Sequence, residues 1–231
     1  MDYSNYMVIN YIIPLLGFVI TFVAQIYVNN SYNKFKYQSL KKKITGAEVA
    51  RTILDKNGLK DIKITEVSGN LTDHYDPTKK IVSLSTDIYR GDTIAAASVA
   101  AHECGHAIQH KDGYIFIKIR SMLVPLVNFS TKIGYLVVIL GIIFSAPKIA
   151  VIGLVLLLAM LLFQVITLPV EFNASNRAKK QLIELKLIEN YELEDTRTML
   201  NAAALTYVAG VITTLLQILR LALIVFGRRD D

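Results

Sequence analysis

Three long stretches of this chain carry no charged side chain, and they constrain its fold more than any other feature. Tyr3 to Asn33 is uncharged, with Met7 to Val28 mostly apolar; Ile149 to Val170 and Thr198 to Leu219 follow the same pattern. A helix needs about 20 predominantly apolar residues to cross the hydrocarbon core of a bilayer, and each stretch supplies them. Hydrophobic residues make up 53% of the 231 positions and charged residues only 19%, whereas a disordered chain shows low hydrophobicity and high net charge. Concentration of the apolar residues in blocks also argues against an ordinary soluble domain. The single cysteine excludes a disulfide scaffold.

The first stretch lacks the basic start and small-residue cleavage site of a signal peptide, so about 7–28 is read as a retained helix. Pro14 and Gly17 within it are tolerable in lipid. A weaker candidate covers about 122–146, where Lys132 leaves only Ile133 to Pro147 free of charge. Lys132 can snorkel to a near interface or face the bundle interior; snorkelling is the simpler reading. Ser145-Ala146-Pro147-Lys148 then makes a short hairpin. The net charge of +6 fits the same topology. Lys34, Lys36, Lys41, Lys42 and Lys43 stand just after the first span, and short loops rich in Lys and Arg stay cytoplasmic. That position accounts for the lysines, so no nucleic-acid partner is expected. Four spans return the C-terminus to the outside, where Arg228 and Arg229 run against the same rule.

The expected fold is mainly α: an integral membrane helical bundle of about four spans with a small α+β cytoplasmic portion. The expected organisation is an N-terminal transmembrane helix (1–28), a cytoplasmic module (29–121), a transmembrane hairpin (122–168), a cytoplasmic helical segment (169–204), and a C-terminal transmembrane helix and tail (205–231). Within the module, Thr45 to Asn57 reads as a helix with Thr45 as cap, Glu48 at the capping-box position and Gly58 as stop. Lys60 to Val67 alternates like a strand. Asp73-His74-Tyr75-Asp76-Pro77 has turn chemistry. Ile81 to Ser85 reads as a second strand, Thr86 to Arg90 as a connector, and Thr93 to His110 as an Ala-rich helix ended by Gly113.

On that helix lies His102-Glu103-Cys104-Gly105-His106. Residues four apart share a helix face, so two imidazoles can converge on one Zn²⁺, with Glu103 within reach of a water at the metal's open position. Zinc acidifies such a water, Glu103 takes its proton, and a peptide carbonyl is attacked; Glu103 then passes the proton to the leaving amine. A solvated helix with unrelated histidines would place half of the chain's four His here by accident.

A catalytic zinc usually has three protein ligands and an open position. His110 lies about 12 Å along the axis from His102 at 1.5 Å per residue, out of easy reach, and is read as a polar helix-end residue favoured by the dipole. Glu171 follows Pro169 and the third span, and the expected topology puts it on the same side as the motif. Pro169-Val170-Glu171 could begin an amphipathic helix through about Leu187, with Glu171, Ser175 and Ala178 on one face. From spacing alone, ligand and ordinary first-turn acid remain equally open readings.

Ala101-His102-Glu103-Cys104-Gly105-His106-Ala107-Ile108-Gln109 resembles the motif of the YugP-type neutral zinc metallopeptidases. The resemblance extends to Leu71-Thr72-Asp73-His74-Tyr75-Asp76-Pro77, to Leu168-Pro169-Val170-Glu171-Phe172-Asn173-Ala174-Ser175 and to Ala203-Ala204-Leu205-Thr206-Tyr207-Val208-Ala209, in order along most of the chain. It implies a membrane zinc peptidase with one Zn²⁺ per chain on His102, His106 and Glu171, and catalysis on Glu103. Asn173 stands where the resemblance would lead one to expect Asp; if that position orients a ligand, an amide holds it more weakly.

Other residues carry smaller readings. His74 could donate to an oxyanion or bind substrate, or be a packed turn residue. Ile81, Val82 and Ser83 could pair with an extended substrate by strand addition, or be simple sheet structure. Arg177 could contact substrate or the Glu171 region, against a default solvated face. Cys104 is read as a small core residue. Gln217 and Arg220 could face the bundle interior and the site, though snorkelling is the simpler account of Arg220. The expected function is a multi-pass plasma-membrane zinc metalloendopeptidase. Its site would face the cytoplasm, and its substrate would be a peptide or membrane protein. The alternatives are a non-catalytic metal-binding scaffold or chaperone, and a transporter, which would carry ionisable residues in several spans.

Overall fold

The computed structural model describes residues 3–227; Arg228 and Arg229, with the topology question they raise, lie outside the described residues. The chain is mainly α-helical, with a small three-stranded sheet. Among the described residues, four helical rods are long and apolar enough to cross a membrane: Val8–Phe35, Ile115–Ile143, Pro147–Glu184 and Asn190–Phe226. The first, preceded by α1 (Tyr3–Met7), combines a π-helical turn (Val8–Ile12) and α2 (Ile13–Phe35). It runs past the apolar stretch that ends at Val28, because Tyr32 and Phe35 are buried in a core at its far end.

The chain divides into two compact units. One holds residues up to Gln25, Ile119–Leu168 and the chain from Thr206 on; the other holds Ile26–Lys118 and Pro169–Leu205. The first unit contains most of α6 (Ile115–Ile143) and the earlier part of α7 (Pro147–Glu184). Its core joins Val138, Ala150, Leu154, Leu157, Ile218 and Val225. The α6–α7 hairpin is close: a Cβ on Gly153 would fall 2.6 Å from the Val138 nitrogen, the tight small-residue contact common between membrane helices. Large apolar side chains such as Phe129, Val155 and Leu162 face outward, as lipid contact requires. Lys132 is exposed on α6. Arg220, on α8 (Leu193–Phe226), does not simply snorkel: its Nε donates to the Ile9 carbonyl at 3.0 Å. The π turn carries its backbone bonds over five residues, as from Ile13 to Val8, and Arg220 supplies a further donor to it.

The second unit is built on α3 (Gly46–Lys56), capped as expected by the reciprocal Thr45–Glu48 box, and on α5 (Ile94–Lys111), whose Thr93 side chain accepts from Ala96. Val49, Ala50, Ile53 and Leu54 of α3 share a buried core with Ala97, Ala100, Ala101 and Cys104 of α5. Strands β1 (Lys63–Val67), β2 (His74–Asp76) and β3 (Ile81–Ser85) form the order β1-β3-β2, with β3 parallel to β1 and antiparallel to β2. Three sequence expectations change here. His74–Asp76 is strand rather than turn; the turn comes one step later, where Asp76 Oδ1 accepts from the N–H groups of Thr78 and Lys79. Thr86–Arg90 is a one-turn helix, α4. Pro169 starts no new helix but lies inside the continuous α7; the lost hydrogen bond and the ring's clash with the preceding turn are offset by the packing of Val170, Ala174 and Ala178 beyond it, all fully buried.

Candidate metal centre

The alanines of α5 let it pack closely on both sides. Gly105, inside the motif, shows how closely: a Cβ there would lie 2.5 Å from the Ala174 carbonyl oxygen of α7. This approach brings Glu171 of α7 to the histidine face of α5. The rings of His102 and His106 stand edge to face with centroids 4.8 Å apart. Glu171 is 2% exposed, and its Oε2 lies 3.3 Å from His102 Nε2 and 3.6 Å from His106 Nε2. One ligand atom from each of the three residues lies within 4.8 Å of the others.

The outer ring nitrogens are held too. His102 Nδ1 is 3.1 Å from Ser175 Oγ, and His106 Nδ1 is 3.1 Å from Gln109 Oε1. Gln109 in turn donates to the carbonyl of Val170 and to Asn173 Oδ1. Arg177 donates from Nε to Asn173 and pairs through Nη1 with Asp112. Arg177 is thus held between Asn173 and Asp112. Asn173 reaches the histidine only through Gln109.

A buried carboxylate is costly unless it is hydrogen-bonded or paired with positive charge. Burial disfavours a charged His106, yet Glu171 and Glu103 outweigh it and raise the pKa of that imidazole. Two imidazoles and a carboxylate are the donor types that suit Zn²⁺, so the residues present fit the ion.

Glu103 is 8% exposed and adjoins His102 on α5. His74 is not in the cluster. Its ring is exposed and its Nδ1 is 2.8 Å from the Thr72 carbonyl. His110 is also outside, edge-on to Tyr75 at 5.7 Å, and burial lowers its pKa. Cys104 is fully buried, its thiol directed at the Ala50 carbonyl and pushed up in pKa by that burial. Ile81, Val82 and Ser83 are paired on both sides, with Lys63, Ile64 and Thr65 of β1 and with Asp76, Tyr75 and His74 of β2. Strand addition at those three residues is thereby corrected, because β3 is central and has no open edge there. Gln109, Ser175 and Asp112 have contacts that were not anticipated. The spacing of Gln109, three residues after His106 on one helix face, was the available signal.

A family model described as "Putative neutral zinc metallopeptidase" matches residues 10–226. Over 212 residues the chain is 42% identical to the "Putative membrane protease YugP" of Bacillus subtilis (strain 168), covering 92% of this chain and 94% of that protein. No solved structure matches. With the match running through every element that carries the cluster, the chain belongs to the neutral zinc metallopeptidase family so described.

Proposed function

We propose that the protein is a membrane-bound zinc-dependent metalloendopeptidase, with one zinc held by His102, His106 and Glu171. The convergence of two Nε2 atoms and one carboxylate oxygen carries this reading. Bound zinc would polarise the scissile carbonyl and acidify a water at its open position. Glu103 acts as general base toward that water and then hands the proton to the leaving amine.

The substrate is a peptide or a segment of a membrane protein, and the site faces the cytoplasm. The lysines after the first span support that side. Strand addition shifts from β3 to β2, an edge of the sheet. His74 opens that edge and serves as a substrate-side residue. With Nδ1–H given to Thr72, its Nε2 can donate to an oxyanion only as the imidazolium.

The test is Glu103→Gln in the purified protein. Peptide hydrolysis should be abolished while one zinc per chain remains. Undiminished turnover would remove Glu103 from the chemistry. Zinc binding by the wild type, without cleavage of any peptide in a broad library, would point to a metal-binding scaffold instead.

A further inference from the structure

Gln109 links His106 to the backbone beside Glu171, and its hydrogen bonds leave only one assignment of hydrogens. A guanidinium only donates, so the Asn173 atom 2.8 Å from Arg177 Nε is the amide oxygen. The Gln109 atom 3.0 Å from that oxygen, and 2.7 Å from the Val170 carbonyl, must therefore be its NH₂ group. The other end of the same amide is an oxygen, and it faces His106 Nδ1 at 3.1 Å. An oxygen without hydrogen cannot donate, so Nδ1 carries the hydrogen. In the neutral ring the lone pair is then on Nε2, the atom that faces Glu171. Ser175 imposes no such choice on His102, because a hydroxyl can donate or accept.

Resting on the metallopeptidase reading above, we propose that Gln109 is a positioning residue for the metal centre. Its oxygen fixes the ligand tautomer of His106, and its nitrogen ties α5 to the carbonyl that precedes Glu171. One side chain thus sets both the direction of an imidazole lone pair and the register of the helix bearing the carboxylate. Gln109 is 0% exposed, so water cannot take over these bonds without rearrangement.

The experiment uses the full-length protein in detergent. Zinc affinity is measured by chelator competition, and ligand geometry by the visible spectrum of the Co²⁺-substituted protein. Gln109→Leu removes both functions and should weaken zinc binding about 10- to 100-fold, the usual cost of losing an outer-shell partner, with a changed cobalt spectrum. Gln109→Glu keeps an acceptor for His106 but turns an oxygen on the Val170 carbonyl and Asn173 Oδ1, so it removes the tie to α7 alone and should fall between wild type and Gln109→Leu. Unchanged affinity and spectrum in Gln109→Leu, or equal losses in both variants, would overturn the proposal. If the leucine variant does not fold, Gln109→Glu decides alone: a zinc affinity and cobalt spectrum both equal to wild type would overturn the proposal. A wild type that binds no zinc would instead sink the metal reading itself.

Discussion

The carboxylate of Glu171 lies 3.3 Å from Nε2 of His102, although the two residues are 69 positions apart in sequence. Both residues belong to the second unit, His102 on α5 and Glu171 on the part of α7 that follows Leu168. Glu171→Gln keeps the shape of the side chain and removes its charge. Zinc content by mass spectrometry should fall from one per chain to near zero. The affinity loss should exceed the roughly 100-fold upper range for outer-shell partners. Full zinc occupancy in a folded Glu171→Gln protein would exclude Glu171 as a ligand.

Gly105 sets how near α7 can come. In Gly105→Ala the new methyl carbon would sit 2.5 Å from the Ala174 carbonyl oxygen, against backbone that cannot swing aside. Overpacking of this kind costs about 1–3 kcal/mol, and the helices must part to relieve it. Thermal unfolding should move down and zinc affinity should fall together. A variant that loses stability with zinc affinity intact would show that the approach at Gly105 does not govern the ligand geometry.

The apolar rods, the capped α3 and the shared face of His102 and His106 were legible in the sequence, because each rests on a local pattern. What escaped was non-local. Asp73, Asp76 and Pro77 give a turn signal, yet His74–Asp76 gains strand pairing from Ile81–Ser83. Pro169 reads as a boundary, but losing one intrahelical bond does not outweigh the packing of Val170, Ala174 and Ala178 beyond it, all 0% exposed. In the chain from His106 through Gln109 and Asn173 to Arg177, the two links within helices have helical spacing, but the Gln109–Asn173 bond that joins the helices has no local signal.

Asp73 supplies a pH-dependent test. Burial raises its pKa above the usual carboxylate value, hydrogen bonds from the Ser85 N–H and hydroxyl oppose this, and the charge of Glu103 adds to the rise. The folded state then holds this proton to higher pH than the unfolded state, whose Asp titrates near about 3.9. As pH climbs from below that value through the raised one, the contribution of Asp73 to stability decreases, and it stays low above. Asn has no such titration and can still accept from Ser85. With metal removed by chelator, the stability of wild type relative to Asp73→Asn should therefore decline across that acidic window. A difference that stays flat with pH would refute the raised pKa.

Arg220 separates the bundle from the chemistry. Its Nε donates to the Ile9 carbonyl within the first unit, and the cluster of His102, His106 and Glu171 lies wholly in the second. Arg220→Leu removes a donor from a π turn and leaves apolar surface in its place. Interhelical hydrogen bonds in membranes average roughly 0.6 kcal/mol, so thermal stability in detergent should drop modestly. Zinc content and hydrolysis of a soluble peptide should be unchanged, since no ligand or outer-shell partner is touched. Loss of zinc from a folded Arg220→Leu protein would mean that the two units are coupled and that the arginine serves the site as well as the bundle.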